Sequence, residues 1–189
     1  MQAEGLRVPK LLTSITLARM AAIPAIMALI LVGDSWSKAY PAAAALFVAA
    51  ALTDFVDGYL ARRWAAATPL GSFLDTTADK LLVTGTLIAL VAVDRASPWV
   101  VTIIVGREFV ILALRGLVAA GGDVMAPSLW GKLKANVQFV AVTLAILRPR
   151  VEVGALLLDE WVMIAAAAVT VASAVEYLVR FGRTLSSRA

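Results

Sequence analysis

Cysteine and histidine are both absent from the 189 residues of this chain. Without cysteine there is no disulfide, no thiolate nucleophile and no zinc-finger pattern. Without histidine there is no Ser-His-Asp triad and no route through a phosphohistidine. Charge is scarce as well: Asp, Glu, Lys and Arg make up 16% of the chain, where a soluble domain carries about a quarter. No Walker A loop occurs, nor a GxGxxG run opening a helix after a strand, so nucleotide binding by those routes has no support. What remains for chemistry is carboxylates, Lys, Arg, hydroxyls, or a metal held by oxygen.

Apolar residues fill the space left by charge. They make up 61% of the chain, and mean hydropathy is +0.89. This composition predicts an integral membrane protein with short loops, built as a single transmembrane domain over residues 1–189. The formal charge of +4 and pI near 9.8 fit positive-inside topology and contact with anionic lipids or phosphorylated substrates, rather than nucleic acid. No signal-peptide cleavage pattern stands out, so the first apolar stretch is expected to remain as a membrane helix.

Six apolar stretches of spanning length run approximately from Thr16 to Val32, Tyr40 to Tyr59, Leu70 to Val93, Pro98 to Ala120, Leu129 to Leu147 and Gly154 to Leu178. Helix-stopping chemistry separates them, as in Gly33-Asp34-Ser35, Asp94 to Pro98 and Arg148-Pro149-Arg150. Residues 1–12 read as a short interfacial helix and residues 183–189 as a loose cytoplasmic tail. With the N-terminus in the cytoplasm, only Lys38, Arg95, Arg148 and Arg150 among the basic residues face the other side. Six spans then place both termini in the cytoplasm, in an inner or plasma membrane.

Four carboxylates interrupt this pattern: Asp54, Asp57, Asp75 and Asp79. A carboxylate at membrane depth costs a few kcal/mol on insertion scales, so its default reading is functional. Asp54 and Asp57 are i and i+3, Asp75 and Asp79 i and i+4, so each pair shares one helix face. The short basic connection from Arg62 to Pro69 predicts antiparallel, adjacent helices. Counting from that turn at about 1.5 Å per residue, Asp57 and Asp75 lie at similar depths of about 9 Å, and Asp54 and Asp79 one turn deeper. Such a pocket of anions calls for one or two hard divalent cations, since like-charge repulsion otherwise forces some to protonate. Oxygen ligands suit magnesium, manganese or calcium. The plainer alternative makes these residues interfacial caps or partners of Arg62 and Arg63. Gly58, Ala61 and Gly71 lie on or beside the acidic face and leave the backbone open to a bulky ligand, although such residues also mark close helix packing.

Written out, the segment is Asp54-Phe-Val-Asp57-Gly58-Tyr-Leu-Ala61-Arg62, eight residues, then Gly71-Ser-Phe-Leu-Asp75-Thr-Thr-Ala-Asp79. It resembles the complete motif of the CDP-alcohol phosphatidyltransferases, with both Asp pairs, both Gly residues, the Ala and the Arg at family spacing. The resemblance implies an all-α fold of six transmembrane helices, a homodimer, and a site open to the cytoplasm. It implies two divalent ions, Mg2+ or Mn2+, held by Asp54, Asp57, Asp75 and Asp79, with Asp79 also a general base. Asp57, Gly58, Ala61, Arg62, Thr68 and Gly71 would bind the CDP-lipid.

Softer likenesses point to the branch of the family that makes phosphatidylglycerophosphate. They are Thr13-Ser-Ile-Thr16-Leu-Ala-Arg19 followed by Pro24, Arg107-Glu108 with Ala113-Leu-Arg115, and Ser128-Leu-Trp-Gly131-Lys132-Leu-Lys134. Thr13 stands where Asn is common, and Ala135 where Thr is usual. The implied partners are CDP-diacylglycerol and glycerol 3-phosphate, and the implied products are phosphatidylglycerophosphate and CMP. Thr16 and Arg19 are further candidate site residues. Arg107, Arg115, Lys132 and Lys134 read as a clamp for the acceptor phosphate. They also read as positive-inside residues, with Arg107 able to pair with Glu108 or Glu176. The competing acceptors are inositol phosphate and, to give cardiolipin, phosphatidylglycerol. A cation transporter or channel built on the Asp cluster is the rival from another class, but the outer halves of these two helices carry no carboxylate.

Overall fold

Six helices account for nearly all of the described chain. The computed structural model describes residues 7–63, 69–120 and 129–186; within them, the side chains of 7–13, 54–63, 69–70, 72, 120, 129, 132 and 183–186 lie outside the description. The helices are α1 (Arg7–Leu31), α2 (Ala39–Arg63), α3 (Pro69–Ala92), α4 (Pro98–Ala120), α5 (Leu129–Leu147) and α6 (Leu158–Ser186). A two-stranded ladder, β1 (Glu152–Val153) with β2 (Leu156–Leu157), precedes α6. The chain divides into two compact units, Met1–Val93 and Asp94–Ala189, each holding three of the helices.

In the first unit α1 packs extensively on both α2 and α3, and among the described residues α2 and α3 touch each other only sparsely. Both α2 and α3 find their larger packing face on α1. That face carries Ile23, Ile26 and Ile30, all buried and spaced by three and four residues. Phe47 of α2 and Leu82, Leu87 and Leu90 of α3 are fully buried with it. Close approach of α1 to α3 depends on Gly85. A Cβ there would stand 2.9 Å from Cγ2 of Ile23 and 3.2 Å from Sδ of Met27, the small-residue contact typical of membrane helices.

In the second unit α6 packs on both α4 and α5. Its buried face is Met163, Ala166, Ala167, Thr170, Ser173 and Tyr177, again at helical spacing. The ladder turns through Gly154, whose φ of +67° is a left-handed geometry that costs glycine little. Trp161 Nε1 donates to the Val153 carbonyl at 2.9 Å. The amide of Leu157 donates to Oε2 of Glu160 at 2.9 Å, the carboxylate half of a capping box. Arg95 donates to the Ile146 carbonyl at the end of α5, and Arg148 to the Asp94 carbonyl, both at 2.7 Å. These two arginines act as loop staples.

Helix positions follow the sequence reading closely, with differences at the two ends of the chain. Of residues 1–12, expected as a short interfacial helix, 7–12 continue without a break into α1 and 1–6 lie outside the described residues. Nothing between Lys10 and Thr16 stops a helix, and Pro9 falls in the first turn, where its missing N–H is harmless. Likewise α6 stays helical through Ser186, so residues 183–186 belong to it.

Among the described residues, two helices are long and apolar enough to cross a membrane, over Ser14–Leu31 and Leu158–Gly182. The apolar parts of α2 and α5 are shorter, Ala39–Thr53 and Leu133–Leu147. The reason is the placement of charge: α2 meets Asp54 and Asp57, α3 carries Asp75, Asp79 and Lys80, and α4 carries Arg107, Glu108 and Arg115. Large apolar side chains also face outward all along the helices, among them Leu17, Leu52, Ile88, Phe109, Leu117, Val171 and Val175. Helices apolar on both faces suit a lipid environment.

Candidate functional site

α3 presents Asp75 and Asp79 one turn apart on one face, six and ten residues beyond its first residue, Pro69. Ala78, beside Asp79, is fully buried, while Asp79 itself is exposed. This registers the helix: the core grips the face bearing Ala78 and Leu82, and the carboxylate of Asp79 is left accessible. Asp57 is six residues before the end of α2 at Arg63, so the two helices hold Asp57 and Asp75 at matching distances, about 9 Å, from the connection between them. The side chains of Asp54, Asp57, Gly58, Ala61 and Arg62 lie outside the described residues, as does Thr68 entirely. Gly71 is half-buried near the start of α3.

Arg19 reaches this site from α1. Its side chain is fully buried, and Nη1 donates to Oδ1 of Asp75 at 3.0 Å. Thr16, one turn earlier on α1, is also buried. The carboxyl of Asp75 is 37% exposed, so Arg19 orients it without enclosing it. A charge-assisted bond of this kind fixes a carboxylate while its second oxygen stays available. The donor set suits a hard divalent cation: oxygen ligands only, with an exposed carboxylate one turn from an oriented one. Arg19 stands among the lesser candidates of the sequence, and in the structure its guanidinium bonds Asp75 of the acidic motif.

The second unit carries a separate polar cluster, along α4, α5 and α6. Arg107 Nη1 donates to Oε1 of Glu108 at 3.1 Å, and Nη2 donates to Oγ of Ser173 at 2.7 Å. Lys134 of α5 donates to the same oxygen of Glu108. Glu108 and Lys134 are each 8% exposed. Arg115 is exposed, with its guanidinium carbon 5.6 Å from the centroid of the Tyr177 ring, a cation–π distance. Of the four expected clamp cations, Arg107 and Lys134 thus converge on one carboxylate, Arg115 sits over an aromatic ring, and the side chain of Lys132 lies outside the described residues. Arg107 takes Glu108 rather than Glu176 as its partner, and Glu176 pairs with Arg180 at 3.1 Å.

Sequence reasoning gave Ser173 and Tyr177 no role. A signal for them exists: Thr170, Ser173 and Tyr177 recur at spacings of three and four in a helix otherwise rich in Ala and Val.

Several known proteins are similar to this chain. A CDP-diacylglycerol–glycerol-3-phosphate 3-phosphatidyltransferase of Bacillus subtilis is 43% identical over 143 residues, covering 70% of this chain and 74% of its own. An enzyme of the same name from Pseudomonas fluorescens is 36% identical over 171 residues, covering 87% and 86%. A CMP-forming cardiolipin synthase of Oryza sativa is 36% identical over 153 residues, or 72% of this chain, which spans 46% of that relative's length. The sequence profile described as CDP-alcohol phosphatidyltransferase matches residues 8–172, so the chain belongs to the CDP-alcohol phosphatidyltransferase family.

Proposed function

We propose that this protein transfers the phosphatidyl group of CDP-diacylglycerol to glycerol 3-phosphate, releasing CMP and leaving phosphatidylglycerophosphate in the membrane. The observation that carries the reading is the acidic pair of α3, with Asp75 oriented by the buried Arg19 and Asp79 accessible one turn away. The names of the Bacillus and Pseudomonas relatives support the same donor and acceptor.

In this reading Asp54, Asp57, Asp75 and Asp79 hold two divalent ions, Mg2+ or Mn2+, which when bound neutralise the diphosphate of the donor. Gly58, Ala61, Arg62, Thr68 and Gly71 line the slot for the cytidine and phosphates. A hydroxyl of glycerol 3-phosphate attacks the lipid-side phosphorus, a new P–O bond forms, and the bond to CMP breaks. Asp79 accepts the hydroxyl proton. Arg107, Arg115, Lys132 and Lys134 bind the phosphate of the acceptor. Direct transfer needs no covalent intermediate.

A CMP-release assay on purified protein, with CDP-diacylglycerol and a panel of acceptors, tests the reading. Turnover is expected with glycerol 3-phosphate, lost in EDTA and restored by magnesium or manganese. Likeness to the cardiolipin synthase favours phosphatidylglycerol as the second acceptor to try. Turnover with phosphatidylglycerol alone would replace the glycerol 3-phosphate reading, and activity undiminished by EDTA would end the metal assignment.

All six helices span the membrane in this proposal, with both termini and the acidic site cytoplasmic, and the protein is a homodimer. Because the chain has no cysteine, single cysteines report topology cleanly. An impermeant maleimide applied to intact cells should label Lys38→Cys and Arg150→Cys, and should reach Arg63→Cys and Ser187→Cys only after lysis. Labelling of Arg63→Cys in intact cells would reverse the orientation.

A further inference from the structure

The polar cluster of the second unit holds an imbalance that its internal contacts do not resolve. The hydroxyl of Tyr177 is buried, in a residue 5% exposed, and has no hydrogen-bond partner among the described residues. Nε of Arg107 and Oε2 of Glu176 are likewise buried and unbonded among the described residues. A buried hydroxyl left without a partner costs about 1–3 kcal/mol, so a fold that keeps one has a reason to do so. Phenylalanine would fill the same space beneath Arg115 without that cost.

Ser173, Glu176 and Tyr177 stand three and four residues apart on α6 and so share a face. Both arginines of α4 meet that face: Arg107 donates to Ser173 at 2.7 Å, and Arg115 lies over the Tyr177 ring. The unused groups are thus two donors, the Tyr177 O–H and the Arg107 Nε–H, and one acceptor on Glu176, beside two fixed cations. Their chemistry matches a small molecule with a phosphate to take the donors and a hydroxyl to satisfy the carboxylate. An inorganic anion would leave Glu176 unanswered.

We propose that Tyr177 is a ligand-binding residue of the acceptor site, its hydroxyl donating to the phosphate of a small polyol phosphate, with α6 a third wall beside α4 and α5. The inference rests on the proposed transfer to glycerol 3-phosphate and adds residues which that reading does not name.

Tyr177→Phe is the test, since it removes the hydroxyl and keeps the ring under Arg115. The KM for glycerol 3-phosphate should rise about tenfold, the loss expected for one hydrogen bond to a charged group. The KM for CDP-diacylglycerol and kcat should hold within about twofold. The Tm of the ligand-free variant should equal or exceed that of the parent, because an unsatisfied buried hydroxyl has gone. An unchanged KM, or a fall in Tm with no change in KM, would overturn the proposal and make the hydroxyl structural.

If the parent protein gives no CMP with glycerol 3-phosphate, the transfer reading fails separately. The site is then read by thermal stabilisation with inorganic phosphate: a parent stabilised more than Tyr177→Phe supports the phosphate contact. Equal stabilisation, or none in either protein, defeats it.

Discussion

Replacing Asp79 by Asn should lower kcat for CMP release by about a thousandfold, within the range a positioned general base contributes. Binding of CDP-diacylglycerol should be spared only in part, because the amide keeps one oxygen for the metal where the carboxylate had two. The geometry makes this an informative substitution. Asp79 is exposed beside a fully buried Ala78, so Asn replaces it without entering the core, and loss of activity cannot be assigned to lost packing. Asp75→Asn should behave differently, since it weakens the bond from a buried arginine and so disturbs the orientation of the site as well as its charge. Full activity in Asp79→Asn would remove Asp79 from the role of base.

The largest stability effect is expected at Glu108. Its Oε1 accepts from both Arg107 and Lys134, and all three side chains are about one-tenth exposed, at 11%, 12% and 9%. Glu108→Ala removes the shared counter-charge and leaves two cations facing each other in a poorly solvated place. Breaking a buried pair from one side costs about 3–5 kcal/mol, which in a chain of this length lowers Tm by roughly 10 °C. Glu108→Gln should cost less, since its amide oxygen still accepts a hydrogen bond. Combining Glu108→Leu with Lys134→Met should recover part of the loss, because one of the two facing cations is removed and Arg107 keeps its bond to Ser173. Thermal unfolding in detergent reads all of these. A Glu108→Ala protein melting with the parent would mean that the buried carboxylate is not the counter-charge of the cluster.

Much of this was legible in the sequence for a physical reason: apolar runs of spanning length are interrupted only where chain or charge forces a break. The helix starting at Pro98 and the one from Leu129 to Leu147 have the bounds that the apolar runs predict. The acidic motif was legible too, because carboxylates in apolar helices are costly and their spacing fixes a shared face. Helix ends were read less well. Residues 7–12 join α1 and residues 183–186 stay in α6, since a polar end of a helix needs a stop signal to become something else. The ladder at Glu152–Leu157 was invisible because two residues per strand carry no periodicity.

Composition and spacing by themselves determined a helical, lipid-suited chain with paired carboxylates and no histidine or cysteine; the motif from Asp54 to Asp79 added the family. Tertiary structure decided which charges meet. Arg19 and Asp75 are 56 residues apart, Glu108 and Lys134 26, Arg107 and Ser173 66. Helical period fixes neighbours within a turn or two and says nothing about partners on another helix. Those depend on how α1 lies on α3 and how α6 lies on α4 and α5, which is set by side-chain packing, through Gly85 in one unit and the buried face from Met163 to Tyr177 in the other.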